Sequence, residues 1–89
     1  MSKEILNEII NYISNNNDIH RVYECINKND LDIILIVSDS TQDIVLDHID
    51  FMFNLRHKYN TIHDFMVIDE TMEYDIQYMY DKYSIVHSV

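Results

Sequence analysis

Three aspartates are the residues of this chain best suited to bind a metal ion. Asp30 and Asp32 enclose a single leucine at the start of an apolar stretch, and Asp64 lies near the start of a second one. If both stretches are strands, the three carboxylates can converge at the strand ends. Carboxylate oxygens are ligands that Mg²⁺ prefers, so the spacing is a candidate for metal-dependent chemistry. Solvation of turns and strand ends explains the same aspartates, and we favour it.

The strand-borne Asp-x-Asp pattern of Asp30 and Asp32, with a third carboxylate at Asp64 on a later strand, resembles that of minimal nucleotidyltransferases. The resemblance covers residues 19–68 and implies a metal-dependent nucleotidyltransferase. That family places a Gly-Ser turn ahead of the aspartate pair to approach the nucleotide phosphates, and this chain has no glycine. The departure favours a degenerate, non-catalytic relative, and we expect no enzymatic activity.

Cys25 and five histidines raise the alternatives of nucleophilic catalysis and a zinc site. The sequence contains no Cys-x-x-Cys and no His-x-x-x-His pair, which are common spacings of such sites. A lone cysteine in an apolar strand is more often a small buried hydrophobe. We therefore predict no catalytic residue and no cofactor. His48 and Arg56 fall on the apolar side of a predicted helix, where we expect snorkelling or interface positions.

Two acidic segments are the candidates for a protein-binding surface. In the first, polar residues recur at helical spacing, opposite the apolar side of a helix. The second mixes tyrosines, which add contact area at low entropic cost, with carboxylates, which bind arginine side chains. The first consists of Asp43, Asp47, Asp50 and Asn54, and the second of Asp69, Glu70, Glu73, Tyr74, Asp75, Tyr78 and Asp81. A solvated helix face is the alternative interpretation of each.

The net charge favours a basic protein as the partner. Sixteen Asp and Glu stand against six Lys and Arg, for a formal net charge of −10. Such a charge repels nucleic acid and anionic membranes and speeds encounter with a basic surface. We therefore expect neither direct nucleic-acid binding nor membrane binding. No apolar run approaches the ~20 residues needed to cross a bilayer, and no signal peptide is recognisable, so we expect a cytoplasmic protein.

Hydrophobic periodicity predicts the elements that position these residues. In chain order they are a helix capped by Ser2 that ends at Ser14, strands over residues 19–26 and 31–38 joined by a turn at 27–30, a helix capped within 39–41 that stops at 59–61, a strand over 62–68, a helix from Glu70, and an extended segment over 84–89. The second strand is apolar throughout residues 33–37, so we expect it at the centre of the sheet. Because glycine and proline are absent, we expect Asn, Asp and Ser to form the turns.

These elements predict one α/β domain of the α+β type over residues 1–89. Its order is αββαβαβ, and it forms a two-layer sandwich in which two or three helices pack on a mixed sheet of three or four strands. We predict a small acidic inhibitor or adaptor, of the kind that phages and mobile elements encode, that occludes a basic, nucleic-acid-binding surface of a target protein. The alternatives are a homo-oligomeric assembly protein, a homodimer included, and a nucleotide sponge or sensor.

Overall fold

The computed structural model describes residues 1–79 and 81–89, without the side chains of residues 77–79. In these residues, helices and strands follow the predicted order, and the α+β fold with helices packed on a mixed sheet is confirmed. The elements are α1 (Lys3–Ile13), β1 (Ile19–Asn27), β2 (Asp30–Val37), α2 (Gln42–Lys58), β3 (Ile62–Asp69), a 3-10 turn (Glu70–Met72), α3 (Glu73–Met79) and β4 (Ser84–Ser88).

The four strands form one sheet in the order β3-β2-β1-β4. β1 pairs antiparallel with β2 and with β4, whereas β2 and β3 are parallel. The prediction that the second strand lies inside the sheet is confirmed, because residues 33–37 are all buried. β3 and β4 lie at the two edges of the sheet.

The core occupies both faces of the sheet. On one face, α1 and α2 pack against alternate residues of β2, among them Ile33 and Leu35. On the other face, Ile34 and Ile36 contact Tyr23 of β1 and Ile76 of α3. The two long helices therefore form the main helical layer, and the short α3 covers part of the opposite face. Full burial of each such aliphatic side chain contributes roughly 1.5–3 kcal/mol to folding.

Both long helices begin where the sequence predicts. The Ser2 side chain accepts a hydrogen bond from the amide of Ile5 at 3.3 Å, so it is the N-cap of α1. At the start of α2, the N-cap Thr41 makes no capping bond through its side chain. The charges of α2 suit its dipole, with Asp43 in the first turn and basic residues in the last. None of the described helices is both long and apolar enough to span a membrane.

The turn between β1 and β2 departs from the predicted chemistry. Asn27 pairs with Asp30, which leaves Lys28 and Asn29 as the two central residues. Lys28 has a φ of 58°, and no other residue in the described part of the chain has a positive φ. The expectation that Asn, Asp or Ser would take the left-handed conformation is therefore wrong here. A two-residue hairpin turn requires positive φ at its first central position, and lysine occupies it.

Candidate functional site

The polar stripe predicted on α2 faces solvent. Asp43, Asp47, Asp50 and Asn54 are exposed, and no ion pair joins them to another described residue. We call Asp43, Asp47 and Asp50 the acidic ridge. At a rise of 1.5 Å per residue, their carboxylates are spaced about 6 and about 4.5 Å along the helix axis. The charges of one DNA strand are about 3.4 Å apart, so the ridge approaches the linear charge density of a nucleic-acid strand.

The two parallel strands end in the same local structure. Asp39, after β2, accepts hydrogen bonds from the amide of Thr41 at 2.9 Å and from its hydroxyl at 2.5 Å. Asp69, at the end of β3, accepts the equivalent bonds from Thr71 at 2.9 and 2.6 Å. The threonine bonds hold the pKa of both carboxyls below the ordinary value, and Ser40 adds a bond to Asp69. Both aspartates are therefore ionised at neutral pH.

These turns define one border of the molecule, which we call the carboxyl edge because β2 and β3 both end there. Asp43 in the first turn of α2 and Glu70 within the second of these turns add two more carboxylates to Asp39 and Asp69. The sequence carries a signal for this edge in the repeated Asp-x-Thr at residues 39–41 and 69–71. Sequence reasoning missed it, since the repeat matters only once the two strands are known to be parallel neighbours.

The carboxyl edge contains a single lysine or arginine of the described residues, and that cation is already paired. Arg21, near the start of β1, donates from Nε and Nη2 to the two carboxylate oxygens of Glu73, each at 2.5 Å. His20 adds a weaker contact, with Nε2 3.5 Å from Glu70. The exposed carboxylates of this edge therefore carry most of its charge without compensation.

The remaining basic residues lie at the opposite end of the molecule. They occupy the first turn of α1, the turn between β1 and β2, the last turn of α2 and the segment before β4: Lys3, Lys28, Arg56, Lys58 and Lys82. Lys58 also pairs with Glu8 at 3.1 Å. The lysines and arginines other than Arg21 thus lie away from the carboxyl edge along the strand direction, and the carboxylates of that edge have little compensation.

Glu73 does not belong to the exposed surface predicted for it. It is 6% exposed, and the Tyr23 hydroxyl donates to one of its oxygens at 2.6 Å. The Arg21 guanidinium holds the pKa of Glu73 below its ordinary value. Glu73 and Ile76 share one face of α3, three residues apart, and both are buried. Glu73 therefore fixes α3 to the sheet and is not available to a partner.

The other predicted residues of the second acidic segment divide between exposed positions and one that is not described. Tyr74, which is 82% exposed, Asp75 and Asp81 face solvent, whereas the Tyr78 side chain lies outside the described residues. α3 and α2 lie on opposite faces of the sheet. The ridge and the exposed residues of α3 therefore do not form one flat surface, and the two segments approach each other at the carboxyl edge.

The structure brings two of the three candidate magnesium ligands together and leaves the third apart. Asp32 and Asp64 are register partners on β2 and β3, while Asp30 lies at the hairpin turn. Asp32 contacts Nδ1 of His63 at 3.2 Å, and Asp64 accepts a hydrogen bond from the amide of the residue that follows it. Among the described residues, no three His, Cys, Asp or Glu side chains form a group that could hold a metal ion. The three aspartates therefore do not make one site.

His48 is part of a buried polar network. It is fully buried on α2, and its two ring nitrogens each lie 2.6 Å from a partner, Nδ1 from the Tyr12 hydroxyl and Nε2 from Asp18. Because a carboxylate only accepts hydrogen bonds, Nε2 donates to Asp18, and Nδ1 shares a hydrogen bond with the Tyr12 hydroxyl. The predicted snorkelling or interface position is wrong for His48, since both nitrogens find partners inside the fold. Cys25 is buried in β1, as predicted.

Comparisons with protein-family models, with curated proteins and with solved structures found no match to this chain.

Proposed function

We propose that this protein binds a basic surface of another protein through the acidic ridge and the carboxyl edge. The proposal rests on the separation of charge. Ridge and edge carry exposed carboxylates, Arg21 is paired with Glu73, and the other lysines and arginines lie at the far end. A charge of −10 spread evenly would serve solubility alone. A negative charge that cations compensate at one end and not at the other also orients the molecule as it approaches a cationic partner.

The chemistry of the surface suits arginine and lysine. Hydrogen bonds from Thr41 and Thr71 hold Asp39 and Asp69 in fixed orientations. A carboxylate held in this way can accept a bidentate bond from a guanidinium group at small entropic cost. Tyr74 is strongly exposed and offers ring area for contact, a part of the affinity that salt does not screen.

Such a surface would compete with nucleic acid for the same partner. Proteins that bind nucleic acid do so largely through cations that contact phosphates, and the ridge presents three carboxylates along one helix. We therefore infer that the protein acts by steric occlusion of a nucleic-acid-binding site. An inhibitor of the kind that phages and mobile elements encode is the class we propose.

The test compares two variants of equal net charge. In the first, Asp43, Asp47 and Asp50 are changed to Asn; in the second, Glu4→Gln, Asp30→Asn and Asp64→Asn remove three charges from exposed positions outside both acidic segments. Proteins are captured from a bacterial lysate by wild type and both variants at low and moderate salt. A retained protein is then purified and tested for release of bound DNA by the wild-type chain.

We expect wild type and the second variant to capture the same nucleic-acid-binding protein and to release its DNA. The first variant should do neither at moderate salt. Equal losses in the two variants would show that net charge alone is responsible and would contradict the proposed surface. Capture without release of DNA would contradict occlusion as the mechanism.

A further inference from the structure

Several exposed apolar side chains lie along the β3 edge of the sheet. Leu46 and Phe53 of α2, Met66 of β3 and Met72 of the 3-10 turn are all exposed at this edge. Phe53 also packs edge-to-face on Phe65 of β3, with ring centroids 5.0 Å apart, which places this flank of α2 above the edge strand. The described part of the chain contains no strand beyond β3.

The two edges of the sheet differ in how they are protected. Natural edge strands avoid pairing with other chains by being short, by bulges, and by lysine or proline. β4 has only five residues, and its pairing with β1 is interrupted by a register shift between Val22 and Tyr23. β3 has eight residues with neither lysine nor proline, and its register shift lies at its start, next to Leu31. The β3 edge is therefore the longer and more regular of the two, and neither strand contains lysine or proline.

We propose that a second copy of this chain covers the β3 edge. The two β3 strands would lie antiparallel about a two-fold axis, and the two α2 helices would lie side by side on the same face of an eight-stranded sheet. A two-fold interface uses the same patch on both copies, so the patch must complement itself. Added strands of this kind gain affinity from main-chain hydrogen bonds and specificity from the flanking side chains.

The flank of α2 next to β3 meets that requirement. In an antiparallel pair of α2 helices with the axis midway between Leu46 and Phe53, Leu46 of each copy lies opposite Phe53 of the other. The last turn of each α2, with Arg56 and His57, then lies beside the first turn of the other, with Asp43. Apolar residues thus meet apolar residues, and basic residues meet acidic ones.

A hollow on this flank fits the same arrangement. An open surface depression of about 470 Å³ is lined by Phe53, Arg56, His57 and Asn60. In the antiparallel pair it lies opposite the first turn of the other α2, so the side chains around Asp43 of the second copy would fill it. The end of the molecule that carries most of the cations would also approach the carboxyl edge of the second copy, with Asp69.

The proposal is tested by measuring the mass of the protein in solution for variants that each add a single charge. Leu46→Glu places a carboxylate in the proposed interface, and Ile26→Glu places the same charge at a similarly exposed apolar residue on β1; the two side chains are 47% and 58% exposed. Sedimentation equilibrium of the full chain is measured for both, and circular dichroism checks that each variant is folded. A second set reverses charge with Arg56→Glu, Asp43→Lys and the two changes combined.

We expect wild type and Ile26→Glu to sediment with about twice the chain mass of 10.8 kDa. Leu46→Glu should weaken association about tenfold or more, each single charge reversal should weaken it, and the combined reversal should restore it. A wild type that stays monomeric at every concentration, or a dimer unaffected by Leu46→Glu, would overturn the proposal. A combined reversal as weak as either single one would overturn the antiparallel arrangement.

Discussion

The contact between Arg21 and Glu73 makes the stability of α3 quantitatively testable. Replacing Glu73 with Gln keeps the size of the side chain but turns an amide group, itself a donor, toward the donors of Arg21. Removing one partner of a fully buried ion pair costs about 3–5 kcal/mol, whereas a surface pair contributes about 0–1 kcal/mol. The Glu73 side chain is 8% exposed and that of Arg21 33%, so water can reach one partner. We expect an intermediate cost, about 2 kcal/mol.

Thermal unfolding of the Glu73→Gln variant measures this cost. In a domain of 60–100 residues each kcal/mol shifts Tm by roughly 4–8 °C, so we expect a decrease of about 10 °C. The matched control is Glu70→Gln, an exposed carboxylate in the preceding turn, which should change stability by less than about 0.5 kcal/mol. A Glu73→Gln variant that melts within about 3 °C of wild type, or no lower than the control, would refute the inference that this pair holds α3.

The pH dependence provides a second signature of the same pair. Arg21 lowers the folded-state pKa of Glu73 below the ordinary value of 4.5. As the pH falls, the unfolded chain therefore takes up this proton before the folded chain does. The contribution of Glu73 is complete above about pH 4.5 and is lost as the pH falls through the folded pKa. The difference in Tm between wild type and Glu73→Gln should be constant near neutral pH and shrink in acid.

Three further substitutions test other parts of the fold. Lys28→Gly should stabilise the protein by up to about 1 kcal/mol in urea unfolding, because glycine adopts positive φ without the steric cost that lysine bears; a loss of stability would contradict the turn assigned here. His48→Phe should lower the free energy of unfolding by about 2–4 kcal/mol, because it leaves the polar groups of Tyr12 and Asp18 without their partner. A loss no larger than that of Tyr12→Phe would contradict the network. Leu35→Ala should lower the free energy of unfolding, also measured in urea, by about 3 kcal/mol because of the cavity it leaves.

The elements that the sequence predicts well are those in which one strong local signal decides the structure. The apolar run at residues 33–37 is too long for a strand with one face in water, and it lies inside the sheet. The helical spacing of Ile5, Ile9 and Ile13 likewise marks the buried face of α1. The acidic ridge follows from the same periodicity on α2, because the side of a helix opposite its buried face must be solvated.

The features that sequence reasoning missed depend on contacts between elements distant in the chain. Glu73 looks like one more surface carboxylate until Arg21, 52 residues away, is placed beside it. His48 appears on an apolar helix face without a partner, because Tyr12 and Asp18 lie on other segments. Lys28 takes the left-handed position because strand register leaves only two residues for the turn. Local propensity carries no information on any of these partners.

The acidic ridge and the proposed dimer interface both lie on α2, and substitutions at two residues test them separately. Asp47 precedes His48, which contacts Tyr12 of α1, and its charge adds to the effect of burial in raising the pKa of Tyr12. Asp47 therefore lies toward the α1 side of the helix, whereas Phe53 contacts β3 on the other side. Asp47 is therefore part of the ridge but distant from the β3 edge, and Leu46 is part of the β3 edge but carries no charge. Asp47→Asn should weaken binding to a basic partner and leave the mass in solution unchanged. Leu46→Glu should weaken self-association while all three carboxylates of the ridge remain in place, so each proposal can fail without the other.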